Sequence, residues 1–478
     1  MRKIFIVFLL IVVVIGIGIA SIESTRKAYF YPAVSEPDYA PPDNRTEAWQ
    51  QDLDYFQTYI QLNRPYTDEA RADALVLTSY MIENIDTLSD AELKLGLAEA
   101  IALSQNGHSF LRISDLTLSE GRIPLLGRMF DDGYYFLWAA PPYQSLLGAQ
   151  LVSIDGHPIE QVIQGFRPYS GAKESFFRMY VGWLLETPSL VHAVGYAESP
   201  TDYTLGLRLM GSDTVTPVEL SVDDASAIPP VVSPAEIMTP ANISQWYGLP
   251  SQVTPMPFFL QEWDKPFHYQ VIESINGFYI RYGANDDVGE HSIASFNKAV
   301  KDELSQNSYS VLILDQRSNG GGDYTRTHNL MTSLPKLVGE QTPIYVITGP
   351  LTFSAGISSV AFLKASGGDQ VTIIGTEIGD HERMWGETSL LTLPNSQLTM
   401  QFATGLHDYA DGCYEFPNCY WLDFFHNVSV GSLSPEITIP FTFDEYVSGQ
   451  DAAINFILET HRDNQFPIEP SAQKYTLE

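Results

Sequence analysis

Three short stretches of the sequence hold residue types suited to acyl-transfer chemistry. The first is Asp315-Gln316-Arg317-Ser318-Asn319-Gly320-Gly321-Gly322-Asp323, with glycines directly after an apolar run. Bare glycine backbone lets N–H groups converge on a developing negative charge. It is no phosphate-binding loop, because the closing Lys-Ser/Thr is absent. The second is Gly349-Pro350-Leu351-Thr352-Phe353-Ser354-Ala355-Gly356, which sets Ser354 where a strand passes into a helix. The helix dipole there favours an alkoxide or oxyanion, and the following N–H points at the same spot. An ordinary N-cap serine also fits that position, and Ser358 and Ser359 lie close by. The third is His108, at the end of a helical region, an imidazole of the kind a hydroxyl needs before it becomes a nucleophile.

These residues need elements to position them. Trp49, Leu53, Phe56 and Ile60 form one stripe at helical spacing, and Leu93, Leu97 and Ile101 form another. Asn44 with Glu47, and Ser89 with Glu92, stand at capping-box spacing before those stripes. The helices end near Gln105, and Asn106-Gly107 turns the chain into His108. From about 110 to 225 the pattern predicts short strands, with Asp155-Gly156 as a tight turn and a helix over Glu160 to Phe166. This stretch resembles PDZ-like modules, which add a peptide strand to a sheet edge; a plain β module without a ligand fits it equally well. Residues 226–266 carry prolines too densely for a compact element and predict a linker or surface strap. Beyond Phe267, strands (Phe278 to Tyr282, Val311 to Asp315, Ile344 to Ile347, Val371 to Ile374) alternate with helices (Ser292 to Leu304, Ala355 to Lys364). That order predicts an α/β sheet with functional residues at strand C-terminal ends.

The chain has 478 residues, with 26 Lys+Arg against 58 Asp+Glu and a formal net charge of -32. Such a surface repels phosphate backbones and excludes nucleic acid as a partner. Hydrophobic residues at 44% and charged residues at 18% also exclude a disordered tail and a multi-span membrane protein. An apolar run from Ile4 to Ala20 follows Arg2 and Lys3, and Gly18-Ile19-Ala20 offers a small-x-small cleavage site. It reads as a signal peptide or membrane anchor that exports all that follows, to a periplasmic or extracellular location. Membrane contact is expected through this segment alone. Cys413 and Cys419, the two cysteines, read as one short-loop disulfide in an exported protein. His381-Glu382 lacks a second His at helical spacing, and Asp408, Asp411 and Glu415 read as solvated acids, so no metal and no cofactor is expected.

In order and spacing these segments resemble the S41 family of serine peptidases, the tail-specific, C-terminal-processing and tricorn-like group. Gly107-His108-Ser109 matches its Gly-His-Ser/Thr turn. Asp315, Arg317, Asn319, Gly321 and Gly322 match its Asp-x-Arg-x-Asn-x-Gly-Gly strand end, and Thr352, Ser354 and Ala355 match its nucleophile turn. Leu393-Pro394-Asn395-Ser396 and Pro435-Glu436-Ile437 look like its later landmarks. The resemblance implies a multidomain α/β protein: an N-terminal helical bundle, a PDZ-like β module and a ClpP/crotonase-like α/β catalytic core. The expected boundaries are 1–24 leader, 25–43 linker, 44–109 helices, 110–225 β module, 226–266 strap and 267–465 catalytic domain.

The resemblance also implies Ser354 as nucleophile, with oxyanion-hole N–H groups from Gly321 and Ala355, joined by Gly320. Arg317 and Asn319 would brace the glycine turn. One family branch draws its base from a Lys beyond the serine, in the stretch that here reads Ile378-Gly379-Asp380-His381, without a lysine. Lys364 lies about 15 Å down the helix axis and is too far. The tricorn-like branch takes a His from the helical region, which implies His108 as base. That branch orients its His with a Glu near the place where this chain reads Asn427-Val428-Ser429. Glu415 is then the first candidate for the third residue and Asp411 the second, with Asp423 farther along. The implied activity is hydrolysis of polypeptide substrates. The alternative is a catalytically inactive scaffold on the same fold that captures peptides or apolar ligands.

Overall fold

The computed structural model describes residues 25–117, 119–222, 236–240, 243 and 245–462. The expected leader, residues 1–24, lies outside the described residues, as does part of the proline-rich stretch. The helical region holds three helices, Arg45–Leu62, Asp68–Glu83 and Asp90–Ala102. Asn44 accepts from the Glu47 N–H, but Glu47 turns its carboxylate to Asp43 N, so that box is half made. Ser89 and Glu92 close theirs reciprocally. Trp49, Leu53, Phe56 and Ile60 are all buried.

The β-rich module is an antiparallel sheet in the order Leu125–Phe130, Gly133–Ala139, Gln150–Ile154, Asp202–Arg208, Val215–Ser221. Asp155 and Gly156 both take positive φ in the turn that closes its short hairpin. The strand expectation fails over 174–193, where helices Glu174–Tyr180, Gly182–Leu185 and Pro188–Ala193 stand instead. Phe177, Val181, Leu184 and Leu185 are buried there at helical spacing. One apolar cluster runs from the opening helices through this module to Leu391, Leu393, Met400 and Phe402. The described part of the strap packs Trp246, Leu249 and Phe259 against Leu137, Trp138 and Tyr446.

The α/β region is a six-stranded sheet in the order Ile437–Thr438, Val371–Gly375, Ile344–Thr348, Val311–Asp315, Gly277–Tyr282, Phe267–Ile272. All neighbours pair in parallel except the last strand, an antiparallel edge. Its strands read as continuous apolar runs because helices cover both faces. Ile293–Gln306, Thr325–Val338 and Ala355–Gly367 bury one face, and Ala452–Arg462 the other. A separate three-stranded sheet, Phe110–Leu111, Thr399–Asp408 and Arg383–Thr392, bridges the two regions. The Leu393-Pro394-Asn395-Ser396 landmark is its hairpin loop, bonded through Asn395 N and Ser396 N to the Asp52 carboxylate.

Candidate active site

The strand Ile344–Thr348 leaves the sheet through a turn that side chains and glycines hold. Thr352 Oγ1 donates to Gln316 O at 2.8 Å and accepts from Gly349 N, while Phe353 N donates to Asn319 O. Ser354 follows with φ 52° and ψ -126°, a conformation that favours glycine, and the helix Ala355–Gly367 starts at the next residue. An L-residue held there is strained, and such strain clusters at nucleophile turns. Ser354 makes no capping bond, and among the described residues its hydroxyl has no hydrogen-bond partner. Ser358 and Ser359 differ: the first bonds Tyr409 Oη, the second Asn285, Thr327 and Ala355 O, and both are buried.

The glycine turn packs directly on the serine. A Cβ at Gly321, whose φ is 110°, would stand 2.6 Å from Ser354 Cβ. Asn319 braces this turn through Asn285 Oδ1 and Gln316 Oε1, both at 2.6 Å. Arg317 is fixed between Asp315 and Asp451 with its guanidinium 4.1 Å over the Phe259 ring. The Gly321 N–H, expected to face the oxyanion, donates to Asn319 Oδ1 at 3.1 Å. Gly320 lines a neighbouring cavity with Ser318 and Leu351. Ala355 and Gly322, by contrast, line the cavity that holds Ser354.

His108 reaches that same cavity, of about 320 Å³, from the far end of the helical region. Its turn is fixed by side chains: Asn106 bonds Ser109 and both backbone groups of Trp385, and Ser109 Oγ donates to Asn63. The ring is buried and stacks on Phe353, centroids 4.3 Å apart; Phe353 in turn stacks on Phe176. Nδ1 lies 3.0 Å from Asp380 Oδ2, and Nε2 is buried with no partner among the described residues. Asp380, 1% exposed, takes the His381 N–H on its other oxygen. Gly107 permits this approach, since a Cβ there would stand 2.8 Å from Asp380 Oδ2.

The carboxylate on the imidazole is therefore Asp380, and not Glu415 or Asp411. Glu415 pairs with Arg383 at 2.8 Å with half its side chain exposed, and the Asp411 backbone N–H bonds Asp408. Cys413 and Cys419 form the expected disulfide, which closes the loop holding Glu415. Nothing local in the sequence marks Asp380 for this place; Gly322 carried a signal, as the last of three glycines.

At the level of sequence, no family model and no curated protein matches the chain. Solved structures do match. Mature CPAF is 13% identical, with 88% of this chain and 99% of that one covered at a TM-score of 0.52. The photosystem II D1 C-terminal processing protease is 13% identical over 84% of this chain and 98% of its own, at 0.38. A putative S41 protease from Bacteroides fragilis is 13% identical over 91% and 100%, at 0.33. At these identities the likeness is one of fold, and the CPAF match carries it.

Proposed function

With the S41-family peptidase fold as premise, we propose that the chain is an exported serine peptidase that cleaves polypeptides through an acyl-enzyme on Ser354. One observation carries the reading. A strained serine with a free hydroxyl and a histidine with an unpartnered Nε2 line one cavity, and a buried carboxylate holds the other ring nitrogen. Asp380 at Nδ1 selects the tautomer that carries its proton there, which leaves Nε2 as an acceptor.

As Ser354 Oγ bonds the scissile carbonyl carbon, its proton passes to His108 Nε2. The carbonyl π electrons move onto oxygen, and the Ala355 and Gly322 backbone faces the developing charge. Collapse breaks the C–N bond, and His108 returns the proton to the departing amine. Water then attacks the ester with His108 again as base, releasing the carboxylate product and the serine. Asp380 stabilises the imidazolium in each half-reaction. A catalytically inactive scaffold would have no use for a carboxylate that orients the His108 ring, and Asp380 is placed to do that. The Cys413–Cys419 disulfide supports an oxidising, exported setting, with residues 1–24 as signal or anchor.

A fluorophosphonate probe tests the reading. The folded chain is expected to gain a covalent adduct that peptide mass mapping places on Ser354, absent in Ser354→Ala and strongly slowed in His108→Ala. A folded chain that stays unlabelled overturns it.

A further inference from the structure

The wall of the cavity facing Ser354 comes from the hairpin Arg383–Thr392 and Thr399–Asp408, and it holds a charged group that the peptidase mechanism does not use. Glu387 sits in mid-strand with φ 51°, a backbone state that a glutamate enters only at a cost. Two glycines make room for it. A Cβ at Gly405 would meet Glu387 Cγ at 2.6 Å, and one at Gly386 would meet the His407 ring at 3.2 Å. Thr404 Oγ1 fixes the backbone by donating to Glu387 O. Backbone strain and missing side chains thus combine to aim one carboxylate into the cavity.

Its surroundings leave that charge only partly answered. Glu387 Oε1 lies 3.3 Å from His407 Nε2, and Oε2 accepts the Tyr31 hydroxyl. His407 is shared, because its Nδ1 lies 3.0 Å from Asp423, which also accepts from Tyr324 Oη. Burial alone would push the His407 pKa down, but Asp423 and Glu387 hold it up, to about 10, so the ring is an imidazolium at neutral pH. Two carboxylates share this one imidazole, and Glu387, at 15% side-chain exposure against 6% for Asp423, is the one that lines the cavity. Among the described residues no Lys or Arg lines this space, while Met384 and the Tyr31 and Tyr324 rings offer walls for an aliphatic stem. Tyr31, half-buried, is the group that an incoming cation would replace on Glu387.

We propose that Glu387 is a specificity-determining residue, which recognises a cationic group on the residue bound beside the scissile bond. This rests on the peptidase reading of Ser354 and deepens it. The cation has two sources of the same chemistry, an Arg or Lys side chain and the α-ammonium of a substrate chain end. A charge-assisted contact to a carboxylate in a water-poor cavity outweighs the phenol hydrogen bond it replaces.

The test reads ratios on the full chain. Fluorogenic peptides with Arg, Lys, Leu or Glu before the scissile bond are supplied with acetylated and with free N-termini. Arg and Lys are expected to exceed Leu in kcat/KM by at least about tenfold, the scale of one hydrogen bond to a charged group, with Glu lowest. In Glu387→Gln the Arg-to-Leu ratio is expected to fall to about one. A preference that tracks the free N-terminus instead, and vanishes in Glu387→Gln, assigns the α-ammonium as the cation. A wild-type preference for Leu, or a ratio unchanged in Glu387→Gln, overturns the proposal. Benzamidine binding to Ser354→Ala, measured calorimetrically, is independent of catalysis. Binding that is lost in Ser354→Ala/Glu387→Gln upholds the cation site even if the chain cleaves nothing, and its absence in Ser354→Ala overturns it.

Discussion

Ser354 and His108 are placed by opposite means. The serine turn is shaped first by main chain, through positive φ at Ser354, Gly321 and Gly322 and the Phe353 N–H on Asn319 O, with the Thr352 and Asn319 side chains as braces. The histidine turn is held by side chains: Ser109 bonds both Asn106 and Asn63, Phe353 stacks on the ring and Asp380 takes Nδ1. Main-chain placement resists side-chain change elsewhere but tolerates no added Cβ. Side-chain placement can yield by small rotations, yet each partner matters to the chemistry. The difference separates what a substitution does to stability from what it does to rate.

The largest effect that sharpens this contrast comes from Asp380→Asn. The ring keeps a neighbour of the same shape but loses its tautomer control, so kcat is expected to fall by roughly 10³ to 10⁴ while the urea midpoint moves little. An activity loss under about tenfold would assign the carboxylate a packing role. Gly321→Ala is next, and it strikes both properties. The new methyl meets Ser354 Cβ and the Ala355 amide at a φ suited to glycine, so urea unfolding is expected to show a loss of about 1–3 kcal/mol. The displaced nucleophile should lower kcat/KM roughly a hundredfold. Gly107→Ala is the mildest and breaks the symmetry from the other side. Its methyl meets the far end of the Asp380 side chain, which can rotate away. Stability should stay within about 1 kcal/mol of wild type. Steady-state kinetics should show roughly a tenfold loss in kcat/KM as the carboxylate leaves the ring. A Gly107→Ala stability loss equal to that of Gly321→Ala would erase the distinction.

How far the sequence discloses these features follows from the range of the interactions that make them. Val311–Asp315 is legible because a strand buried on both faces must be apolar throughout, and the glycines after it are legible because its turn needs bare backbone. Capping at Asn44 and Ser89 is local and shows in the spacing. The Cys413–Cys419 bridge is local as well. The Asp380 partnership is hidden, since 272 positions separate it from His108 and no local pattern marks which of many acids folds back. Glu415 looks suitable in one dimension, but Arg383, brought beside it by hairpin pairing, claims its carboxylate. The helices at 174–193 are too short for their period to outweigh the strand-like residues around them. Glu387 and its two glycines are invisible for a similar reason: Gly405, paired with Gly386 across the hairpin, has meaning only against the Glu387 side chain.

The apolar clusters beneath the two reacting groups are distinct, one under the helix that follows Ser354 and another under the helix and strand that flank His108. Ser354 and His108 therefore line one cavity at the seam between two packed clusters, a place where local opening can precede global unfolding. Under the proposed mechanism, warming would part the Ser354 hydroxyl from the His108 ring before either cluster melts, so activity would be lost while helices and sheets still stand.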